Sequence, residues 1–162
     1  MAAVDYFLKL DGIEGESHDS KHKNAIELES WSWGEAQTGT GHSSGGSGGG
    51  KVAMQDFHFV MKINKASPKL FLACANGEHI KKAELICRKA GKDQQEFLKV
   101  TMSDVLVSSY QTGGSGHSDI VPTDQISLNF AQIDFDYKPQ EANGSLGASI
   151  KAGYNAKTNK AV

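Results

Sequence analysis

Histidine is the side chain most open to chemistry in this chain, and two of the six, His18 and His22, stand four apart. On a helix that spacing would put both rings on one face, where they could share a zinc ion. The surrounding run GESHDSKHKN has no apolar stripe, so it reads as a loop, and the spacing then fixes no ligand geometry. His42 and His117 lie in glycine-rich runs, His79 follows a helix signal, and His58 sits between Phe57 and Phe59. Alternation points His58 away from the aromatic face. All of these read as solvated or interface histidines.

Other chemistry is also weakly supported. No GxSxG elbow is present to position a serine nucleophile. GGSGGGK, from Gly45 to Lys51, superficially looks like a phosphate loop, but Val52 follows the lysine and a strand pattern follows that. A phosphate loop needs its glycines before a helix N-terminus. Asp56, Asp134 and Asp136 alternate with apolar residues, which suits solvated strand faces better than an acid/base pair. Cys74 and Cys87 lie in apolar runs and are expected to be reduced, buried small hydrophobes. The expectation is a protein with no catalytic residues, no cofactor and no metal.

The triplet Trp31–Ser32–Trp33 is more informative. In a strand, both tryptophans share one face and Ser30 and Ser32 share the other. With Phe57 and Phe59, the tryptophans are the expected anchors of the core. The two serines would then present a small, uncharged, polar wall to whatever passes it.

Strand patterns supply the positions for these residues. They run near Val4–Leu10, Asn24–Gln37, Lys51–Ile63, Lys81–Lys89, Gln95–Tyr110 and Asp124–Tyr137, with a weaker one near Ser149–Asn155. Three of them change phase. Ile26 and Leu28 give way to Trp31 and Trp33. Val52 and Met54 give way to Phe57, Phe59 and Met61. Ile126, Leu128 and Phe130 give way to Ile133, Phe135 and Tyr137. A one-residue slip flips every later side chain, so each long run must contain a bulge or bend. Such bends suit a small closed β-barrel of two packed sheets. One helix is expected, with Ser67 as N-cap, Pro68 as its first residue, and Asn76–Gly77 as a left-handed stop.

Between the second and third runs lies TGTGHSSGGSGGG, Thr38 to Gly50, in which seven of thirteen residues are glycine. Such a segment has nothing to bury, so it cannot fold alone. It reads as a long arm that orders against another molecule. The tail after Asn143 is expected to be weakly ordered unless Ile150 and Tyr154 dock. A formal net charge of −2 gives no global case for nucleic-acid binding. No apolar run reaches the ~20 residues of a membrane span, and the N-terminus shows no Sec signal pattern. Synthesis in the cytoplasm is expected, with any export by another route.

From WSWG (Trp31–Gly34) outward, the chain resembles the haemolysin-coregulated protein (Hcp) family, the tube subunits of type VI secretion systems. The resemblance is carried by DYFLKLDGIEGES (Asp5–Ser17), GGGKV, QDFHF (Gln55–Phe59), SPKLFLACANGEH (Ser67–His79), CRKAG (Cys87–Gly91), VLVSSYQTGGSG (Val105–Gly116) and LNFAQIDFDYKPQ (Leu128–Gln140), in that order. It implies one barrel domain over residues 1–162 with one helix, forming hexameric rings that stack into a tube. It also implies a contractile sheath, a spike protein and small effectors as partners, and secretion of the tube. On that reading Ser30 and Ser32 face the lumen and its cargo. Thr38, Thr40, His42, Ser43, Ser44, Ser47 and Lys51 belong to an inter-subunit arm. The rival is a monomeric barrel that binds a small ligand in its interior, against which the abundance of Trp and Phe argues for a filled core.

Overall fold

The computed structural model describes residues 3–37, 51–90 and 93–162. Strands dominate the described residues, with one helix among them. Val4–Leu10 forms β1, and the next run breaks into β2 (Ile26–Glu27), β3 (Ser30–Ser32) and β4 (Glu35–Gln37). β5 (Val52–Met54) and β6 (Phe57–Lys62) follow, then helix α1 (Ser67–Asn76), β7 (His79–Lys89) and the long β8 (Glu96–Gly113). β9 (Thr123–Asn129), β10 (Gln132–Tyr137), β11 (Ile150–Asn155) and β12 (Lys160–Ala161) complete the chain. Each of the three expected phase changes falls in a break: between β2 and β3, between β5 and β6, and between β9 and β10.

All the pairings are antiparallel. The main ladder runs β12-β11-β10-β8-β7-β1-β2, with β9 bridging β8 and β6, and β6 bridging β9 and β3. β8 is long enough to serve two neighbours along one edge: Leu98–Ser103 pairs with β10, and Leu106–Gly113 with β9. The segment from β2 to β3 touches two partners in turn. The Leu28 N–H donates to the Tyr6 carbonyl at 3.0 Å, and the Glu29 N–H donates to the Val60 carbonyl at 2.8 Å. β4 and β5 form a separate two-stranded ribbon that carries the 38–50 segment, which itself lies outside the described residues.

Leu8, Ile26, Phe57, Phe59, Met61, Leu85, Met102, Ile126 and Leu128 are sealed in one apolar core. Burial of each large apolar side chain contributes about 1.5–3 kcal/mol. α1 seats Leu70 and Ala73 on that core, while Phe71 and Leu72 of the same helix stay exposed. Gly77 ends the helix at φ 68°, as expected for Asn76–Gly77. The start differs from expectation: Ala66 occupies the N-cap, and Ser67 is the first helical residue. Its hydroxyl donates instead to buried Asp124 at 2.6 Å, a stronger, charged acceptor. The tail is also better ordered than its composition suggests, because β11 pairs with β10 from Ile150 to Asn155.

Candidate functional site

Core residues occupy one side of β3, β6, β9 and the C-terminal half of β8, and alternation sends the intervening residues to the other side. Register aligns them. Ser32 stands opposite His58, His58 opposite Ser127, and Ser127 opposite Ser109. A second row runs Ser30, Val60, Gln125 and Gln111. The ladder shifts between Val107 and Ser109, so Ser108 is the extra residue of a bulge. That shift moves the core side of β8 from Val105 and Val107 to Tyr110, and places Ser109 and Gln111 on the polar face.

The two rows floor a concave cleft of about 460 Å³, also bounded by Trp31, Phe59 and Ile126. His58 Nδ1 lies 2.6 Å from Ser127 Oγ. Above them, Asp56 accepts hydrogen bonds from Ser108 Oγ at 2.6 Å and Asn129 Nδ2 at 2.9 Å. At the other end of β6, Lys62 Nζ lies 3.6 Å from Glu29 Oε1. The polar groups that line the cleft are therefore hydroxyls, amides and one imidazole. The His58–Ser127 contact lacks the third member of a nucleophilic triad: among the described residues no carboxylate is hydrogen-bonded to His58. The surface is suited to reversible hydrogen bonding.

Ser30 and Ser32 are exposed on this face, together with His58, Gln111 and Gln125, while Ser109 is half-buried and Ser127 buried; the sequence reading pointed His58 outward but did not single out Ser109, Gln111, Gln125 and Ser127. For Gln125 and Ser127, the run Gln-Ile-Ser-Leu-Asn of β9 carried that signal in its alternation. Phe57 and Phe59 are sealed, whereas Trp31 and Trp33 are only half-buried at the edge of the core. Trp31 stacks on Phe57 at 5.9 Å and meets Tyr6 edge-on at 6.2 Å. Trp33 Nε1 donates to the Gln55 carbonyl at 2.9 Å. Of the expected arm residues, Thr38, Thr40, His42, Ser43, Ser44 and Ser47 lie outside the described residues, and Lys51 is exposed at the start of the returning ribbon.

One histidine departs from its expected solvation. His22 is buried, stacked on Phe7 at 4.8 Å, with Nε2 2.5 Å from Glu96 Oε1. It belongs to a cluster that sequence reasoning missed. Arg88 of β7 is buried and grips Asp19 with both terminal nitrogens, at 3.0 and 2.8 Å. The same guanidinium reaches Asp5 at 3.0 Å and lies 4.8 Å over the Phe7 ring. Hydrogen bonding to Arg88 holds the Asp19 carboxyl down at about 2, and the same bond pushes the guanidinium up. This network pins the 11–25 segment over the outer side of β1 and β7, around Phe7, Ala25 and Ile86. Gly15 permits the close approach, since a Cβ there would stand 2.6 Å from the Ala25 carbonyl. Cys87 is buried and free, its thiol pushed up to about 12 by burial; Cys74 is free and half-buried. No group of three metal-ligating side chains occurs among the described residues.

Known proteins resemble this chain along most of its length. Residues 7–137 match the family described as "Type VI secretion system effector, Hcp". The chain is 46% identical over 159 residues to the protein hcp1 of Pseudomonas aeruginosa, covering 97% of this chain and 98% of that protein. It superposes on the crystal structure of Hcp1 from Salmonella typhimurium with a TM-score of 0.85, at 40% identity, covering 99% of this chain and all of that one. It superposes on a structure described as a type six secretion system protein with a TM-score of 0.91, at 32% identity and with 99% and 100% coverage. The match spans β1 to β10 in the family description and nearly the full length in the relatives, so the chain belongs to the Hcp family of type VI secretion proteins.

Proposed function

We propose that this protein is the tube subunit of a type VI secretion system, and that its cleft-bearing face lines the tube. Copies associate head to tail into a hexameric ring, rings stack, and the tube assembles in the cytoplasm before export with a spike at its tip and a contractile sheath around it. The observation that carries the luminal reading is the row Ser32–His58–Ser127–Ser109 and its neighbour Ser30–Val60–Gln125–Gln111, which hold no carboxylate, lysine or arginine. A wall of small hydroxyls and amides takes small effector proteins by weak, reversible hydrogen bonds. It lacks the large apolar patch that would hold them fast.

Two finer features belong to the same reading. The run from Ile26 to Ser32 closes the ladder into a barrel over one domain of residues 1–162. It is supported by the successive backbone bonds of Leu28 to β1 and Glu29 to β6. The 38–50 arm bridges subunits, supported by its composition and by its position in the chain between β4 and β5, which pair as a ribbon separate from the main sheet. The function is assembly and transport without catalysis or a cofactor. A monomeric barrel with a ligand in its interior is disfavoured because Phe57, Phe59, Met61, Met102 and Leu128 fill that interior.

Light scattering coupled to size exclusion tests the reading. The expected mass is six times that of the monomer. A monodisperse monomer at micromolar concentration would overturn it.

A further inference from the structure

We propose that His58 decides which cargo this face accepts: protonation of its imidazole opens the face to small proteins with an acidic surface. This rests on the luminal reading above. Among the described residues of the cleft, His58 is the single titratable side chain. β3 contributes Ser30 and Ser32, β9 contributes Gln125 and Ser127, and β8 contributes Ser109 and Gln111, none of which carries charge. The charged groups stand at the two ends. Asp56, two residues before His58, is held by Ser108 and Asn129 and pairs with no cation among the described residues. Lys62 is offset by Glu29.

The charge balance follows from these neighbours. With neutral His58, the face carries the net negative charge of Asp56 and repels an acidic partner. With protonated His58, that charge is balanced and both ring nitrogens donate. Nδ1 is occupied by Ser127 Oγ at 2.6 Å, which leaves Nε2–H for the open cleft. An N–H on a cation bonds a carboxylate more strongly than a neutral donor does. Histidine is the side chain that changes charge in the range where cellular compartments differ. The remaining described histidines sit elsewhere: His22 against Glu96, His79 against Asp104, and His18 and His117 on other exposed loops.

The test uses the purified full chain and two labelled peptides, one alternating aspartate with serine and one alternating asparagine with serine. Binding is read by fluorescence anisotropy at about pH 5.5 and about pH 8. The Asp–Ser peptide is expected to bind about fivefold more tightly at the lower pH, with no change for the Asn–Ser peptide. His58→Gln should abolish that gain while keeping the hexamer. His58→Lys, cationic at both values, should bind the Asp–Ser peptide at the higher pH as tightly as the unaltered chain does at the lower. A gain that survives His58→Gln overturns the inference, as does binding that is independent of pH. If Ser32→Gln leaves the pH-dependent binding untouched, the peptide sits elsewhere, and the luminal reading fails as well. Absence of binding by either peptide at both values also overturns it.

Discussion

Two polar surfaces back the same apolar core and are built on opposite lines. Behind β1 and β7, the chain covers its own sheet with the 11–25 segment and ties it down with Arg88, Asp19, Asp5, His22 and Glu96. Behind β3, β6, β9 and β8, nothing in the described chain covers the sheet, and the side chains are short and mostly uncharged. The difference is one of desolvation. A charge that leaves water needs a well-placed opposite charge, and once paired it fixes one geometry. Hydroxyls and amides keep most of their hydration and can exchange partners. The first surface therefore suits a permanent internal contact, and the second suits a transient external one.

The largest way to break this contrast lies beneath the open face. Phe59→Ala should lower stability by about 3–5 kcal/mol, because Phe59 is sealed in the core. Urea denaturation measures it, and a loss below about 1 kcal/mol would show that the open face lacks a rigid floor. On the closed surface, Arg88→Met strands Asp19 and Asp5 and should cost about 3 kcal/mol in the same assay. A neutral result would mean that the 11–25 segment holds without its ion pairs.

Acid probes the closed surface through Asp19. Asp19 is held at about 2, below its usual 3.8, so its contribution is present above that usual value and is lost as pH falls toward 2. Between about pH 5 and about pH 2.5 the unaltered chain should lose more stability than Asp19→Asn. Equal losses would deny that the Arg88 contact is what lowers Asp19. The smallest effect is expected on the open face. Ser32→Gln should change stability by no more than about 0.5 kcal/mol while altering effector retention. A large drop in melting temperature would place Ser32 in a structural role.

The open face was partly legible in the sequence because period-2 alternation is local. β1 falls on Val4–Leu10 as read, and the three phase changes mark the breaks before β3, β6 and β10. Ser30 and Ser32 followed from the tryptophans beside them. Their companions on β9 and β8 required the register, and on β8 the bulge at Ser108 as well. The closed surface was not legible. Arg88 alternates like a solvated residue, and only the fold of a loop of low apolar content over β7 buries it. Ser67 was misread as a cap for a similar reason: its acceptor, Asp124, lies 57 residues away. Half-burial of Trp31 and Trp33 reflects their place near the sheet edge, which composition does not encode.

Replacing Thr38–Gly50 with a two-residue turn would sharpen the outward-facing half of the contrast. The monomer should keep its fold while rings and tubes weaken, as seen by size exclusion; unchanged assembly would remove the arm from the interface. The most direct measurement is a cryo-electron-microscopy reconstruction of the purified full-length protein. The account predicts six-fold rings with Ser32, His58 and Gln125 turned toward the axis and the Arg88 cluster away from it. Rings with the Ser32 face on the outer perimeter, or a field of monomers, would contradict it.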